Sequence, residues 1–414
     1  MYKNKRNRLK IELGCILQEK VIGAQIRSRA KYIEEGEKST SYFLNLEKKR
    51  QTNNRIIKLK HNNKEATNNE DILKCTADFY TSLYKSNSPK TEDIQTYLNN
   101  IDLEKKLSEE NKKKCEGNIT YDECTHIVYH KLKLNKSPGY DGLPSEFYKT
   151  FWSDIGRFLC SVFLEIYEKE GLSNSQYLSI ITLIHKGNER ELLKNYRPIS
   201  LANTDYKILA FVLAHRLQKV LNDIINLDQN GYIKQRFIGN NIRLVDDIIN
   251  YAVSHKIGGA LMFLDFQKVF DSLEWDFLIS VSAKFNFGEN FIKWVKLIYK
   301  SPRALIKNNG WLSEQIKQGR GIKQGCPLSA LLFLLAVEIL GILIRKENNL
   351  KGFKMNINGR EKEVKISQFA DDSVLCLLNI YQVMPAIDLI NQFGNVAGLK
   401  QNKDYSPWYM QINI

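Results

Sequence analysis

The chain has 414 residues, 43% of them hydrophobic, and a formal net charge of +15 at pH 7. This length and apolar content exclude a disordered polypeptide and predict two or three subdomains with a substantial core. The charge favours a polyanionic partner such as nucleic acid over a generally basic surface, because residues 1–64 hold 17 Lys and Arg against 6 Asp and Glu.

The cysteines and the apolar stretches restrict the cellular setting. Seven scattered cysteines without metal-ligand spacing are typical of a reducing compartment and argue against structural zinc. No apolar segment follows the charged residues 1–6, so no secretory signal is predicted. The longest apolar stretch, residues 328–344, contains Ser329, Glu338 and Gly341 and suits a buried helix better than a membrane span. We therefore expect an intracellular protein outside the membrane, with cytoplasm and nucleus both left open.

In the first half of the chain, periodic segments alternate with polar ones. The predicted elements are one or two amphipathic helices over 5–50, a loop or hairpin over 51–69, a helix over 71–84, a turn over 137–144, a helix over 147–170 and a strand over 180–187. Residues 85–118 are polar and weakly patterned, so no element is predicted there. Tyr32, Tyr42 and Phe43 lie among basic residues near the amino end, and this arm is predicted either to bind RNA or to be simply solvated.

The second half predicts a mixture of helices and strands, and thus an α+β fold. The predicted elements are a helix over 205–222, a loop over 229–236, a helix over 241–254, a strand over 259–266, helices over 275–285 and 291–299, strands over 303–308 and 315–318, a helix from 328, and a hairpin of 364–369 and 373–378.

Two carboxylates, Asp371 and Asp372, follow Phe369-Ala370 at the tip of the predicted hairpin. Adjacent Asp side chains cannot both be buried as anions without a counter-charge, so this turn predicts a cation such as Mg²⁺. Asp265 follows an apolar strand and precedes Asp371 by 106 residues, so only tertiary structure can bring them together. Three carboxylates at two strand ends could hold two metal ions of the kind that drive phosphoryl transfer. A solvated turn is the alternative for an isolated pair.

Seven motifs in a fixed order resemble the reverse transcriptases of non-LTR retrotransposons, the long-interspersed-element type. They are Ser137-Pro138-Gly139-Tyr140-Asp141-Gly142, Leu183-Ile184-His185-Lys186, Asn195-Tyr196-Arg197-Pro198-Ile199-Ser200-Leu201, Gln229-Asn230-Gly231-Tyr232, Leu264-Asp265-Phe266-Gln267-Lys268-Val269-Phe270-Asp271, Gly321-Ile322-Lys323-Gln324-Gly325-Cys326-Pro327-Leu328-Ser329, and Phe369-Ala370-Asp371-Asp372. The segment Glu35-Gly36-Glu37-Lys38-Ser39-Thr40 also resembles the extension that precedes the fingers in this family.

The resemblance implies a right-hand polymerase fold with fingers and palm, a helical amino-terminal extension and no thumb. The implied domains are residues 1–120 for the basic extension, 121–258 for the fingers and 259–414 for the palm. Residues 393–402 resemble the next family motif, but the pattern is lost from 403 onward. We therefore expect neither the following strand nor a thumb, as in a truncated copy of such an element.

The resemblance also implies a set of site residues. Asp265 and Asp371 would ligate two Mg²⁺ ions, with Mn²⁺ as an alternative ion, while Asp372 assists at the rim and the backbone carbonyl of Phe266 completes one coordination sphere. The other implied roles are triphosphate binding by Lys186 and Arg197, exclusion of a ribose hydroxyl by Phe270, contact with nucleotide and template by Gln324 and Gly325, and proton donation to pyrophosphate by Lys400. Outside their motifs, these residues would be read as solvated side chains, core packing or an ordinary helix start.

The predicted function is therefore RNA-directed DNA polymerase, transferring nucleotides from dNTP to a primer 3′-hydroxyl. Its implied partners are an RNA template, primer DNA and dNTP, whereas protein partners stay unspecified. One alternative is a catalytically inactive, RNA-binding remnant, which the missing thumb favours and the intact carboxylates disfavour. Another is a relative of group II intron maturases, which the style of the amino-terminal and 195–201 motifs disfavours.

Overall fold

The structure is a computed structural model that describes residues 55–61, 64–357, 359–402 and 408–412. The predicted helices over 5–50, with Tyr32, Tyr42, Phe43 and the motif at 35–40, lie outside the described residues. The RNA-binding arm therefore stays a prediction.

Helices and strands alternate along the described chain, as expected for an α+β fold. The helices are α1 (Asn69–Leu83), α2 (Thr91–Asn99), α3 (Glu109–Lys113), α4 (Tyr121–His130), α5 (Ser145–Thr150), α6 (Trp152–Glu168), α7 (Asn174–Tyr177), α8 (Thr204–Gln218), α9 (Leu221–Ile224), α10 (Ile238–Ser254), α11 (Val269–Ser272), α12 (Trp275–Lys284), α13 (Glu289–Ile298), α14 (Ser329–Lys346) and α15 (Val383–Ala397). The strands are β1 (Leu59–His61), β2 (Lys64–Ala66), β3 (Leu178–His185), β4 (Tyr196–Ala202), β5 (Gly259–Leu264), β6 (Arg303–Asn308), β7 (Trp311–Lys317), β8 (Phe353–Ile357), β9 (Arg360–Val364), β10 (Ile366–Phe369), β11 (Asp372–Leu377) and β12 (Trp408–Ile412).

The chain divides into two compact units, and the first is the smaller. Among the described residues it comprises 55–75, Leu183–Arg197 and Asn308–Trp311. Its β1–β2 hairpin confirms the hairpin alternative for residues 51–69. The amide of Lys60 donates to the carbonyl of Glu191 over 2.8 Å, which joins this hairpin to the loop that follows β3.

The second unit comprises Thr76–Thr182, Pro198–Lys307 and the described part of Leu312–Ile414. It contains a four-stranded sheet in the order β10-β11-β5-β12, in which each neighbouring pair is antiparallel. The parallel pairing of β3 with β6, from Leu178 opposite Arg303 to Thr182 opposite Lys307, also lies in this unit. The predicted boundaries at 120 and 258 stay a prediction.

Helix α14 forms the centre of the hydrophobic core of the second unit. Its residues are apolar around the whole helix, and most are fully buried, as expected for a helix surrounded by protein. Helices α12 and α15 contact it, and Leu264 and Phe266 join the same core from the β5 side. Among the described residues, no helix is long and apolar enough to cross a membrane.

One region without a prediction contains helices, and one expectation was wrong. Residues 85–118 contain α2 and α3, which sequence periodicity missed because α2 buries only Ile94 and Leu98 and α3 buries nothing. The strand expected to be missing after residue 402 is present as β12, which pairs with β5 from Trp408 opposite Phe263 to Ile412 opposite Gly259. That expectation followed the lost motif pattern at 403–408, whereas β12 forms by pairing its backbone with β5, which does not require the motif residues.

Candidate active site

The adjacent aspartates lie at the tip of the β10–β11 hairpin, as predicted. Phe369 is paired with Asp372 in the register of the two strands, so Ala370 and Asp371 make the turn between them. Ala370 is buried and has a left-handed backbone with φ 57°. A non-glycine residue in this region costs about 1 kcal/mol or more, so other contacts must hold the turn in place.

Asp265 follows β5 directly and comes next to this turn. Strands β11 and β5 are antiparallel with Ser373 opposite Leu264, so continuing the register brings Asp372 opposite Asp265. Partial burial raises the pKa of the Asp372 carboxyl, and the negative charge of Asp265 raises it further. The two carboxylates are therefore close enough to repel each other, although both remain exposed at one side.

A loop from the predicted carboxy-terminal motif runs along Asp265. Phe266 and Gln401 form an antiparallel bridge, and the amide of Gln267 donates to the carbonyl of Lys400 over 2.8 Å. The Nδ2 of Asn402 donates to Oδ2 of Asp265 over 2.6 Å, and its backbone amide donates to the carbonyl of Asp265 over 2.9 Å. Asn402 thus orients the Asp265 carboxylate, and the exposed Lys400 lies two residues away from this contact.

The donor set at this place suits a hard divalent cation. Carboxylate oxygens are the ligands that Mg²⁺ prefers, and a cation between Asp265 and Asp372 would reverse the repulsion that raises the pKa of Asp372. Across the described part of the chain, however, no three His, Cys, Asp or Glu side chains form a group that could hold a metal ion. The residues fit a metal as a close pair of carboxylates beside Asp371, and the predicted ligand set of three stays a prediction.

The turn of Asp371 and Asp372 is held in place by Gln229, a buried residue that is distant in sequence. Oε1 of Gln229 accepts hydrogen bonds from the amides of Ala370 and Gly231, each over 2.8 Å. Its Nε2 donates to the carbonyl of Ala370 over 3.2 Å. A Cβ on Gly231 would lie 2.3 Å from the amide nitrogen of Ala370, so only glycine allows this close approach.

Two neighbours of Gln229 extend this support. The amide of Asn230 donates to the carbonyl of Gln368 over 2.9 Å, and the amide of Gln368 donates to the carbonyl of Asp228 over 2.8 Å. Tyr232, in a left-handed conformation with φ 54°, follows at the surface. Burial raises its pKa, and so do Asp371 and Asp372, which places the Tyr232 side chain near both carboxylates.

A buried ion cluster lies behind Asp228. Nη1 of Arg345 contacts Oδ2 of Asp228 over 2.7 Å, and Nη2 of the same guanidinium binds Glu338. Burial raises the pKa of Glu338 to about 7, although Arg345 lowers it. This cluster joins helix α14 to the segment that carries Gln229.

A second turn, Gln324-Gly325, lies just before α14. Gly325 has φ 103°, and a Cβ there would lie 3.1 Å from the carbonyl oxygen of Ser200. The amide of Ser200 donates to the carbonyl of Gln324 over 2.7 Å, and Nε2 of Gln324 donates to Oδ2 of Asp271 over 3.1 Å. The structure therefore ties this turn to β4 and to the segment after Asp265.

Phe270 is half-buried, and its ring stacks on that of Phe333 with a centroid distance of 5.3 Å. Its carbonyl accepts a hydrogen bond from the amide of Ile322 over 2.6 Å. The ring is thus fixed against the α14 core beside the Gln324 turn. A role at the sugar stays a prediction.

Lys323, next to Gln324, is a buried cation that sequence reasoning did not single out. Its Nζ lies 4.3 Å from the centre of the Tyr206 ring and has no hydrogen-bond partner among the described residues. Burial lowers the pKa of Lys323 to about 8. The cation–π contact partly offsets the cost of burying this ammonium group.

Lys186 and Arg197 belong to the first unit, whereas the site residues described above belong to the second. The amide of Lys186 donates to the carbonyl of Asn195 over 2.9 Å, which brings the end of β3 beside the start of β4. Both side chains are exposed. Their predicted contact with a triphosphate stays a prediction.

Comparison with known proteins then decides the family. Residues 184–409, more than half of the chain, match the family model described as reverse transcriptase (RNA-dependent DNA polymerase). The chain belongs to the reverse transcriptase family. Enzymes of this family generally act on an RNA template and primer DNA with dNTPs and generally use divalent metal ions. A polymerase fold follows from membership, and the mixture of helices and sheets agrees with the α+β prediction.

The relatives of this chain come from mobile elements, which confirms the resemblance to the non-LTR family. The transposon TX1 149 kDa protein of Xenopus laevis is 32% identical over 86% of this chain and 27% of its own length. The Pol polyprotein from the type-2 retrotransposable element R2DM of Drosophila melanogaster is 27% identical over 66% of this chain and 25% of its length. A probable RNA-directed DNA polymerase from transposon BS of the same fly is 25% identical over 49% of this chain and 22% of its length. The chain spans about a quarter of the length of these relatives.

Three residues that support the site escaped sequence reasoning: Gln229, Asn402 and Asp271. Gln229 and Gly231 were recognised only as a motif without a role, although the glycine was a signal of close backbone approach. Asn402 and Asp271 lie in segments that resemble family motifs, but no local pattern assigned either residue a role. Their partners Asp265 and Gln324 are 137 and 53 residues away, respectively.

Proposed function

We propose that this chain catalyses RNA-directed DNA synthesis by adding nucleotides from dNTPs to the 3′-hydroxyl of a primer on an RNA template. The observation that carries the proposal is the close approach of Asp265 to the Asp371-Asp372 turn, which follows from the antiparallel register of β11 and β5 with Ser373 opposite Leu264. Paired carboxylates that repel each other at the ends of two strands are suited to binding divalent cations.

Asp265, Asp371 and Asp372, with the backbone carbonyl of Phe266, would hold two Mg²⁺ ions or, alternatively, Mn²⁺. When bound, these ions would lower the pKa of the primer 3′-hydroxyl and neutralise charge on the triphosphate. Asn402 supports this role, because its hydrogen bond to one oxygen of Asp265 fixes the carboxylate plane.

The remaining roles follow the chemistry of each side chain. Arg197 would bind the triphosphate as a two-pronged donor and Lys186 as a point charge. Phe270 would exclude a ribose 2′-hydroxyl, and Gln324 with Gly325 would contact nucleotide and template. Lys400 is the candidate donor of a proton to pyrophosphate. Residues 1–120 would form a basic helical extension, residues 121–258 the fingers and residues 259–414 the palm. The protein would be intracellular.

The test is extension of an oligo(dT) primer on poly(rA) with Mg²⁺, comparing the chain with its Asp371→Asn variant. We expect dTTP incorporation by the parent chain and a loss of about 10³-fold or more in the variant, because a ligand carboxylate is removed. Asp388→Asn is the matched control, since Asp388 is exposed on α15 outside the site. Equal incorporation by the parent and Asp371→Asn would remove the catalytic assignment and leave the RNA-binding remnant.

A further inference from the structure

Tyr84 lies at the end of α1, far outside the residues that match the reverse transcriptase family model. Its side chain is buried, and its hydroxyl donates to Oδ1 of Asp271 over 3.1 Å. The other carboxylate oxygen of Asp271 accepts from Nε2 of Gln324 over 3.1 Å. One buried carboxylate therefore links the amino-terminal segment to the Gln324-Gly325 turn.

The same segment makes further polar contacts with residues around Asp271. The hydroxyl of Ser86 and the amide of Asn87 donate to the two oxygens of Glu274 over 2.7 and 2.9 Å. The amide of Gly319 donates to the carbonyl of Tyr84 over 2.9 Å. The segment that carries Tyr84 is thus fixed at several points.

These contacts determine which end of the Gln324 amide faces outward. Since Nε2 of Gln324 is held by Asp271, its Oε1 is directed away from the carboxylate as a hydrogen-bond acceptor. Loss of the Tyr84 hydroxyl would leave Asp271 with one donor fewer, and the carboxylate could then rotate away from Gln324. A hydrogen bond to a charged group is worth more than a neutral one, so this loosening has a measurable cost.

We propose that Tyr84 is a positioning residue for the incoming nucleotide, acting through Asp271 on the side chain of Gln324. The inference rests on the proposed nucleotide role of Gln324. It gives the segment before the family match a part in nucleotide selection, separate from any grip on RNA. Phe270 precedes Asp271 directly, so the same contact also steadies the ring that is proposed to face the sugar.

The chain offers a matched control in Tyr80, one turn earlier. Its ring stacks on that of Tyr84 with a centroid distance of 5.8 Å, and it is equally buried. Its hydroxyl has no hydrogen-bond partner among the described residues. Tyr80→Phe and Tyr84→Phe therefore remove the same atom from the same ring stack, but only Tyr84→Phe removes a bond to Asp271.

The experiment measures dTTP binding to the full chain on poly(rA) with a chain-terminated oligo(dT) primer, and dTTP incorporation on an unblocked primer. We expect Tyr84→Phe to weaken the Kd for dTTP about fivefold, whereas Tyr80→Phe stays at the parent value. Asp271→Asn should weaken binding as well, and adding Tyr84→Phe to it should cause no further loss, because both changes break one path.

The outcomes separate this inference from the proposed function. Equal Kd values for the parent and Tyr84→Phe, or additive losses in the double variant, would overturn the inference while leaving polymerase activity intact. A parent chain that binds dTTP without incorporating it, and binds more weakly after Tyr84→Phe, would support the inference and count against the proposed function. A parent chain that does not bind dTTP at all would overturn both.

Discussion

The Asp371-Asp372 turn and the Gln324-Gly325 turn both need a left-handed backbone, but they stabilise it in different ways. Both contain a residue with positive φ, but the first uses Ala370 and the second uses Gly325. Ala370 is strained and is held by two hydrogen bonds with the side chain of the buried Gln229, one accepted and one donated by Gln229, whereas Gly325 adopts its conformation without steric cost. The difference suggests that the first turn is built for fixed geometry and the second for adjustable contact. Changes around the first should therefore lower kcat, and changes around the second should alter nucleotide affinity and selection.

Among changes that leave the three carboxylates in place, the largest expected effect is that of Gln229→Ala. Without the hydrogen bonds between Gln229 and Ala370, the turn can relax and the carboxylates can shift. A displacement of about 1 Å can lower the rate about 100-fold. We expect kcat for dTTP to fall by about this factor in primer extension, with little change in KM. Gln95→Ala, at an exposed position on α2, is the control. A rise in KM at unchanged kcat would break the distinction between the two turns.

Phe270→Val tests the second turn from its neighbouring ring. Because Phe270 is tied to Ile322 and stacked on Phe333, its removal opens space beside the proposed sugar position and leaves the Asp turn untouched. We expect the preference for dTTP over UTP to fall about tenfold or more, measured as the ratio of kcat/KM values. Phe263→Val is the control, since Phe263 is exposed on β5. An unchanged preference in Phe270→Val would show that the ring is only part of the core.

Glu338→Gln tests how far the support of the first turn extends behind Asp228. Burial raises the pKa of Glu338 to about 7 in the folded chain, above its ordinary value. A raised pKa of an acid adds stability at low pH, which is lost as the pH rises through about 7. We expect the parent to lose about 2 kcal/mol of unfolding free energy from this group between pH 5 and 8.

Glu338→Gln should flatten that dependence, measured by urea unfolding across the same pH range. Glu314→Gln, an exposed change on β7, should leave the dependence as in the parent. If the unfolding free energy of Glu338→Gln still falls between pH 5 and 8 as in the parent, the pH dependence does not arise from Glu338.

The smallest effect is expected for Ala370→Gly. Glycine tolerates the left-handed conformation, so the substitution should raise the unfolding free energy by about 1 kcal/mol. In the Gln229→Ala background it should also restore part of the lost kcat, because the turn then needs less support. If Ala370→Gly destabilises the chain and restores nothing, strain at this turn is not what Gln229 opposes.

The carboxylates were predictable from sequence because each is marked by its own neighbours. Asp265 follows an apolar run, and Asp371 and Asp372 interrupt two such runs, so periodicity alone places all three at strand ends. The predicted limits of the hairpin were also close to those observed. A buried strand has few alternative registers, because a shift of one residue would turn its apolar side chains to the opposite face of the sheet.

The supports of the site were not predictable in the same way. Gln229 meets Ala370 across 141 residues, and no local pattern records such a side-chain contact. The family motifs assign roles to their charged residues, so Lys400 was predicted as a proton donor whereas Asn402, two residues later, was given no role. The same reliance on motifs led to the wrong expectation for β12, where the strand forms although the expected residues are lost.

Strand β12 has one more consequence for Asp265. Because β11 and β12 pair with β5 on its two sides, β5 is an interior strand, and its hydrogen-bonding groups are engaged along both flanks. A slip of one residue along either neighbour would turn every side chain of β5 to the opposite face of the sheet. Strand β12, which follows the last family motif, thus helps to fix the register of β5 and so keeps Asp265 opposite Asp372.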